Sequence, residues 1–279
     1  MSLGNDTLRR LSPVVRLHIM ASIAILGATG SLGSRVVSQA TAAGDSLSLL
    51  VRSPGRLPPE VAARARVLTA DLATAPTATL AQFAEGHDVL VSCAGLVTEG
   101  EKFVALIDHI VSAIESLPSH ARPLCWFLAG AGLLDLDASG RRGVDLPKVR
   151  KTYWPHRVNF ERLLRSDLEW RLLCPGPMVE QPAIGIDRMR VSIDGIPVKL
   201  PAFAKHLPAL LLLPLFAARV PEMIVPYADA ASVILANAIR GGPMSRKRVG
   251  LALPVGMRGK KDQWEGKPKT SDQAHPTHP

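Results

Sequence analysis

Three glycines at a three-residue spacing, Gly27, Gly30 and Gly33, separate a short β-rich apolar run, Ser22–Leu26, from a stretch in which Leu32, Val36 and Val37 share one helical face. Residues of this kind at a strand–turn–helix junction can bind phosphate. Gly27 permits a sharp turn with positive φ, Gly30 leaves room for a phosphate beside the backbone, and Gly33 lets the helix lie close to the strand. With Thr29, Ser31 and Leu32 they form a loop whose amides, aided by the helix dipole, can hold a pyrophosphate. An ordinary βα turn could use the same glycines, but the strand and helix on either side favour a dinucleotide site.

The second strand bears on which dinucleotide. An acid usually stands about 20 residues beyond the glycines when the ribose carries a free 2′-hydroxyl. Here Arg52 and Ser53 follow the run Ser46–Val51, and that place holds no acid. A cation beside a hydroxyl suits a 2′-phosphate, so NADP(H) is expected in preference to NAD(H); a solvated strand end is the plainer role for Arg52. Arg35, in the first helical turn, offers a second cation. Asp71, followed by Leu72, ends the third run, where its carboxylate either accepts from an adenine amine or caps a helix. Ser92, Cys93, Ala94 and Gly95 close the fourth run. Their small size suits a cofactor lying against the sheet, or only close packing.

These residues need a scaffold that brings strand ends together. Apolar runs at Ser46–Val51, 65–70, 87–92, 123–128 and 169–174 read as strands two to six, and helical patterns read over Thr77–Ala84, 101–117 and 153–165. Alternation at this spacing predicts an α/β fold with a doubly wound parallel sheet. Residues 20–178 are expected to form the cofactor-binding domain, and 179–255 a small C-terminal substrate-side lobe completing it. In the lobe, 189–200 has a hairpin look around Asp194-Gly195, 229–239 reads as a helix and 249–253 as a short strand. Residues 1–19 read as an N-terminal extension, and Met20, just before the first strand, as a natural start. The polar stretch 256–279 is expected to be disordered.

At 279 residues the chain can bury a large core, and 47% hydrophobic against 4% aromatic content suits an Ala/Leu/Val-rich sheet covered by helices. Its formal charge is +9, but three Arg against one Asp in 1–19, and five Lys/Arg against three acids in 256–279, account for +4 of it. The remainder could serve an anionic cofactor or substrate. No helix-turn-helix, zinc finger or aromatic-interleaved basic strip is evident, so no nucleic-acid partner is expected. Cys93, Cys125 and Cys174 sit in apolar runs without metal-type spacing and read as buried reduced thiols of a cytoplasmic protein; no metal is expected. Residues 207–220 are strongly apolar but shorter than the roughly 20 residues a span requires. They read as a lid or core helix, or as a membrane-facing or dimer-forming patch, which leaves a homodimer open.

The 27–33 turn, Arg52, Ala70-Asp71-Leu72 and Ser92-Cys93-Ala94-Gly95 resemble the atypical and extended short-chain dehydrogenase/reductase superfamily. More narrowly, they resemble its NAD(P)H-binding, nitrogen-metabolite-repressor-like branch, with sugar-epimerase and flavin-reductase-like relatives. Residues 160–170 leading into Cys174-Pro175-Gly176-Pro177, and Val225-Pro226-Tyr227-Ala228-Asp229, agree, and the resemblance spans roughly residues 21–253. It implies a Rossmann-type sheet, hydride transfer to a small acceptor, and a nicotinamide bordered by Pro175, Gly176, Pro177 and Met178.

It also implies a Tyr-x-x-x-Lys pair on the helix before strand six and a serine after strand five. This sequence has Tyr153 and Arg157 for the pair, and Ala129-Gly130-Ala131-Gly132 where the serine belongs. Arginine supplies charge with a geometry unlike that of lysine. Tyr153 is therefore either the proton donor or a residue packed beside Trp154, and His156 is an alternative donor. The cations between Arg141 and Lys151 read as a solvated loop or a lure for an anionic substrate. A reductase acting on a small, anionic or apolar molecule is expected. A non-catalytic NADP sensor, or an epimerase-type enzyme acting on a lipid-like substrate, is the alternative.

Overall fold

Strands buried on both faces show near-continuous apolar sequence, because successive side chains enter opposite cores. In β1 (Ser22–Leu26), Ala24 and Leu26 join one buried cluster while Ile23 and Ile25 join the other. The computed structural model describes residues 20–95 and 97–260. The extension expected over 1–19, and the part of the expected disordered tail from 261 on, lie outside the described residues.

After β1 come α1 (Ser31–Ala43), β2 (Ser46–Val51), the short α2 (Pro59–Ala62), β3 (Arg66–Thr69), α3 (Thr77–Ala84), β4 (Val89–Ser92) and α4 (Glu101–Glu115). Then follow β5 (Leu124–Leu128), α5 (Pro147–Arg165), β6 (Trp170–Cys174), β7 (Met178–Val179) and β8 (Arg190–Ile193). The chain continues through α6 (Ala209–Arg219), β9 (Val225–Pro226), α7 (Tyr227–Ala236) and β10 (Lys247–Ala252).

Eight strands form one sheet in the order β3-β2-β1-β4-β5-β6-β10-β8, parallel except for β8. The chain winds outward from β1 to β3 on one side and from β4 to β6 on the other, so the strand order reverses between β1 and β4. In open α/β sheets ligands bind in the crevice at such a point, beyond the strands' carboxyl ends. Helices α3, α4 and α5 cover one face, and α1 and α7 the other. Gln39 and Ser232 tie α1 to α7, through Gln39 Nε2 to the Ala228 carbonyl at 2.8 Å and Ser232 Oγ to Gln39 Oε1 at 3.0 Å.

The main strands match the sequence reading to within two residues at their ends. Two expectations need correction. The helix expected over 153–165 begins six residues earlier, at Pro147. Pro147 occupies the first helical position, where a proline costs nothing, and the interior Pro155 does not break the helix because His156, Asn159, Phe160 and Leu163 bury its inner face. The hairpin expected around Asp194-Gly195 does not form: β8 pairs antiparallel with β10 instead. Asp194 does turn the chain, at φ 61°, but its carboxylate takes Lys247 Nζ at 2.8 Å and faces Arg248, which commits β8 to the neighbouring strand. Arg35, the second candidate cation, is paired with Glu180. As for the stretch read as a substrate-side lobe, it supplies β8 and β10 to the main sheet and α7 to the layer of α1.

A half-buried ion pair locks this edge. Arg248 donates to the two Asp135 carboxylate oxygens at 2.9 and 2.8 Å and to the Leu133 carbonyl at 2.7 Å. Removing one partner strands a buried charge, which is strongly destabilising. Asp194 stays near Arg248, so Asp135→Ala is expected to cost about 2 kcal/mol of unfolding free energy, less than a fully orphaned pair. The midpoint of urea denaturation measures it.

Candidate cofactor and active site

Because Leu26 pairs with Ser92, the turns after β1 and β4 lie side by side, and the Cys93 amide donates to the Leu26 carbonyl at 2.9 Å. Gly27 has φ 77°, and a Cβ there would meet the backbone of Cys93 and Ala94 at 3.0 Å. Gly33 is more restricted still. A Cβ on it would lie 2.9 Å from the Gly27 carbonyl carbon and 3.0 Å from Ala28 Cα, with the Gly27 carbonyl oxygen closer yet. Gly30 has the ordinary φ of −80° and faces only the Gly27 oxygen, at 3.3 Å.

Gly27 therefore turns the chain and Gly33 packs the helix, while the space beside Gly30 is open apart from the Gly27 oxygen. No side chain caps α1, and its first turn holds no acid. The amides of Ser31, Leu32 and Gly33 come before any intrahelical acceptor, so they and the helix dipole face the crevice mouth. A pyrophosphate fits this cradle.

Arg52 and Ser53 follow β2, the neighbour of β1, and both are exposed. The Arg52 guanidinium has no hydrogen-bond or ion-pair partner among the described residues, in contrast to Arg35 on Glu180. Asp71 is exposed and caps no helix: its Oδ1 accepts from the Ala73 amide at 2.9 Å within a turn, and α3 starts only at Thr77, while Leu72 is buried. Cys93, Ala94 and Gly95 line the turn after β4. Cys93 is only partly buried as a residue, yet its thiol is enclosed and burial pushes it up to about 12. Burial pushes Cys125 up to about 12 as well, so both stay as thiols. Pro175, Gly176, Pro177 and Met178 leave β6 at the same edge. The Ala131 amide donates to the Pro175 carbonyl at 2.7 Å, the Val225 amide to that of Pro177 at 3.0 Å, and a Cβ on Gly176 would meet the Met223 carbonyl carbon at 2.9 Å.

On α5 the three candidate proton handlers separate. Tyr153 is 40% exposed, with its ring stacked on His156 at 6.1 Å between centroids. Arg157 lies a turn further on, 3.9 Å from Glu161. His156 points inward, edge-on to Phe103 at 5.8 Å, and its Nε2 would lie 3.2 Å from a Cβ on Gly130. The α5 side chain opposite the loop after β5 is therefore His156, and the missing side chain of Gly130 makes room for it. Its Nδ1 and the Asn159 amide nitrogen are buried without partners among the described residues, as is the Ser92 hydroxyl at the end of β4. The sequence offered His156 only as an alternative proton donor; its inward position and Gly130 as its counterpart come from the fold.

Burial pushes the His156 imidazole down from its usual 6.5 to about 4. Between those values the unfolded chain binds the proton and the folded chain does not, so folding stability falls as pH drops from 6.5 towards 4. The full effect is about 3 kcal/mol at 1.36 kcal/mol per pKa unit. His156→Gln is expected to flatten this slope, as read from denaturant midpoints across the window.

No group of three or more His, Cys, Asp or Glu side chains able to hold a metal occurs among the described residues. No helix among them is long and apolar enough to cross a membrane.

A family model described as NAD(P)H-binding matches residues 27–197. No curated protein matches the sequence. Solved structures similar to the chain include a short-chain dehydrogenase/reductase of the wide type from Veillonella parvula in complex with NADP. It is 18% identical, covers 90% of this chain and 100% of its own, and has a TM-score of 0.59. A Rossmann-fold NAD(P)-binding family protein from Shigella flexneri is 16% identical over 87% of this chain and 98% of its own, with a TM-score of 0.58. ChuY, an anaerobilin reductase from Escherichia coli O157:H7, is 16% identical over 84% and 98%, with a TM-score of 0.56. At these identities the likeness is one of fold.

Proposed function

The chain belongs to the NAD(P)H-binding family, and from that membership we propose that it is an NADPH-dependent reductase delivering hydride to a small carbonyl, quinone or flavin-like acceptor. The observation that carries this reading is the uncapped N-terminus of α1 over a glycine turn at the sheet's reversal point, beside the exposed Arg52. Gly27, Thr29, Gly30, Ser31, Leu32 and Gly33 hold the pyrophosphate. Arg52 and Ser53 take the 2′-phosphate, and Asp71 and Leu72 border the adenine. The dinucleotide passes Cys93, Ala94 and Gly95, and its nicotinamide end meets Pro175, Gly176, Pro177 and Met178. Bound there, the nicotinamide supplies the hydride.

For a carbonyl acceptor, Tyr153 donates the proton, Arg157 supports it with positive charge, and His156 holds the phenol ring by stacking. A flavin or quinone can take its proton from water, so those acceptors need no hydroxyl in the loop after β5. The test is loss of NADPH absorbance against a panel of aldehydes, quinones and flavins. Tyr153→Phe is expected to lower kcat on an aldehyde about 100-fold while leaving the NADPH Kd and the quinone rate unchanged. An unchanged aldehyde rate would remove Tyr153 from the mechanism. One observation favours a second reading, a protein that senses NADP without turnover: Ala129-Gly130-Ala131-Gly132 offers no hydroxyl to orient a carbonyl. Tight NADPH binding with no turnover on any acceptor would establish that reading instead.

A further inference from the structure

The segment 199–219 carries Lys199, Lys205 and His206, besides an Arg219 paired with Glu222, and not one Asp or Glu of its own. Within it α6 is anchored by its inner side, where Leu212 and Phe216 are buried. The outer side of the same segment is not covered: Phe203 is 58% exposed, Leu210 69% and Leu211 53%. Isolated exposed leucines need no explanation, but several exposed large apolar side chains within one cation-bearing segment mark an interaction surface.

A second cation-rich segment is fastened to this one. Arg141, paired with Asp137, donates to the Leu207 carbonyl at 2.6 Å and to that of Ala204 at 3.0 Å. Beyond it lie Lys148, Arg150 and Lys151, all exposed and without ion-pair partners among the described residues. The one acid between Gly140 and Tyr153 is Asp145, already paired with Arg142.

We propose that Phe203, Leu210 and Leu211, flanked by these cations, dock the protein on the surface of an anionic lipid bilayer. Charge complementarity selects the occupant. A second copy related by a two-fold axis would bring the same patch against itself, setting lysine-bearing segments face to face. Anionic headgroups complement that charge, and the apolar side chains enter the boundary below them. With 11 residues, α6 is about 16 Å long and lies in the interface instead of spanning it.

The full chain is to be sedimented with vesicles of equal parts phosphatidylcholine and phosphatidylglycerol, and with phosphatidylcholine alone. Binding is expected to the anionic vesicles only, and to weaken with added salt. Leu210→Glu/Leu211→Glu should lower that partition at least about tenfold with NADPH binding and melting temperature retained. Lys148→Glu/Arg150→Glu/Lys151→Glu should lower it too, by the electrostatic route. Failure to bind anionic vesicles would overturn the proposal. So would equal binding by the leucine variant, which would assign the attraction to charge elsewhere in the chain. A wild-type dimer that the leucine variant converts to monomer would give these side chains to a second copy.

Discussion

Gly33→Ala is expected to raise the NADPH Kd at least about 100-fold and to lower the melting temperature. The argument is steric. The added methyl would sit 2.9 Å from the Gly27 carbonyl carbon and 3.0 Å from Ala28 Cα, both backbone atoms that cannot swing aside. Relief requires α1 to lift from β1, and overpacking of this kind costs about 1–3 kcal/mol or more. The same lift pulls the amides of Ser31 and Leu32 away from the phosphate site, so binding suffers more than folding. Gly30→Ala separates the two effects. Its methyl would meet only the Gly27 oxygen, at 3.3 Å and with a comfortable φ, so the fold should hold while the methyl takes the phosphate's place. Calorimetric titration with NADPH and a thermal melt on each variant measure both quantities. Wild-type affinity in Gly30→Ala would show that no phosphate approaches there.

Arg52→Asp is expected to reverse the preference between the two nicotinamide dinucleotides. Arg52 is exposed at the end of β2 and has no ion-pair partner among the described residues, so its removal breaks no internal contact. A hydrogen bond to a charged group contributes about 1.5–3 kcal/mol, and each 1.4 kcal/mol is about tenfold in affinity. The NADPH Kd should therefore rise about 10- to 100-fold. NADH, with only a hydroxyl at that position, should bind as well or better through the new carboxylate. Parallel loss for both dinucleotides would mean that Arg52 acts on something other than the 2′-phosphate.

Much of the fold around this candidate site was legible in the sequence, because local chemistry dictates it. Gly27 and Gly33 are demanded by a turn and a close approach within seven residues, and β1 and β2 end where their apolar runs end. The parallel order follows from strands that alternate with helices. What escaped the sequence depends on distant partners. Whether Arg35 is free depends on Glu180, 145 residues away. The direction taken after Asp194 depends on Lys247 and Arg248. The start of α5 at Pro147, six residues before the expected one, goes with a buried face that runs on through Pro155. The relation of His156 to Gly130 exists only because β5 and α5 fold back on each other, and it turns two alternative proton donors into a stacked pair.

The measurement that bears most directly on the central claim is a side-by-side calorimetric titration of the wild-type protein with NADPH and NADH. One-to-one binding of NADPH at least about tenfold tighter than NADH, the margin a single charged contact can supply, is the predicted result. Binding of neither nucleotide would contradict the assignment of Gly27, Gly30 and Gly33 as a pyrophosphate cradle, and with it the account built on them.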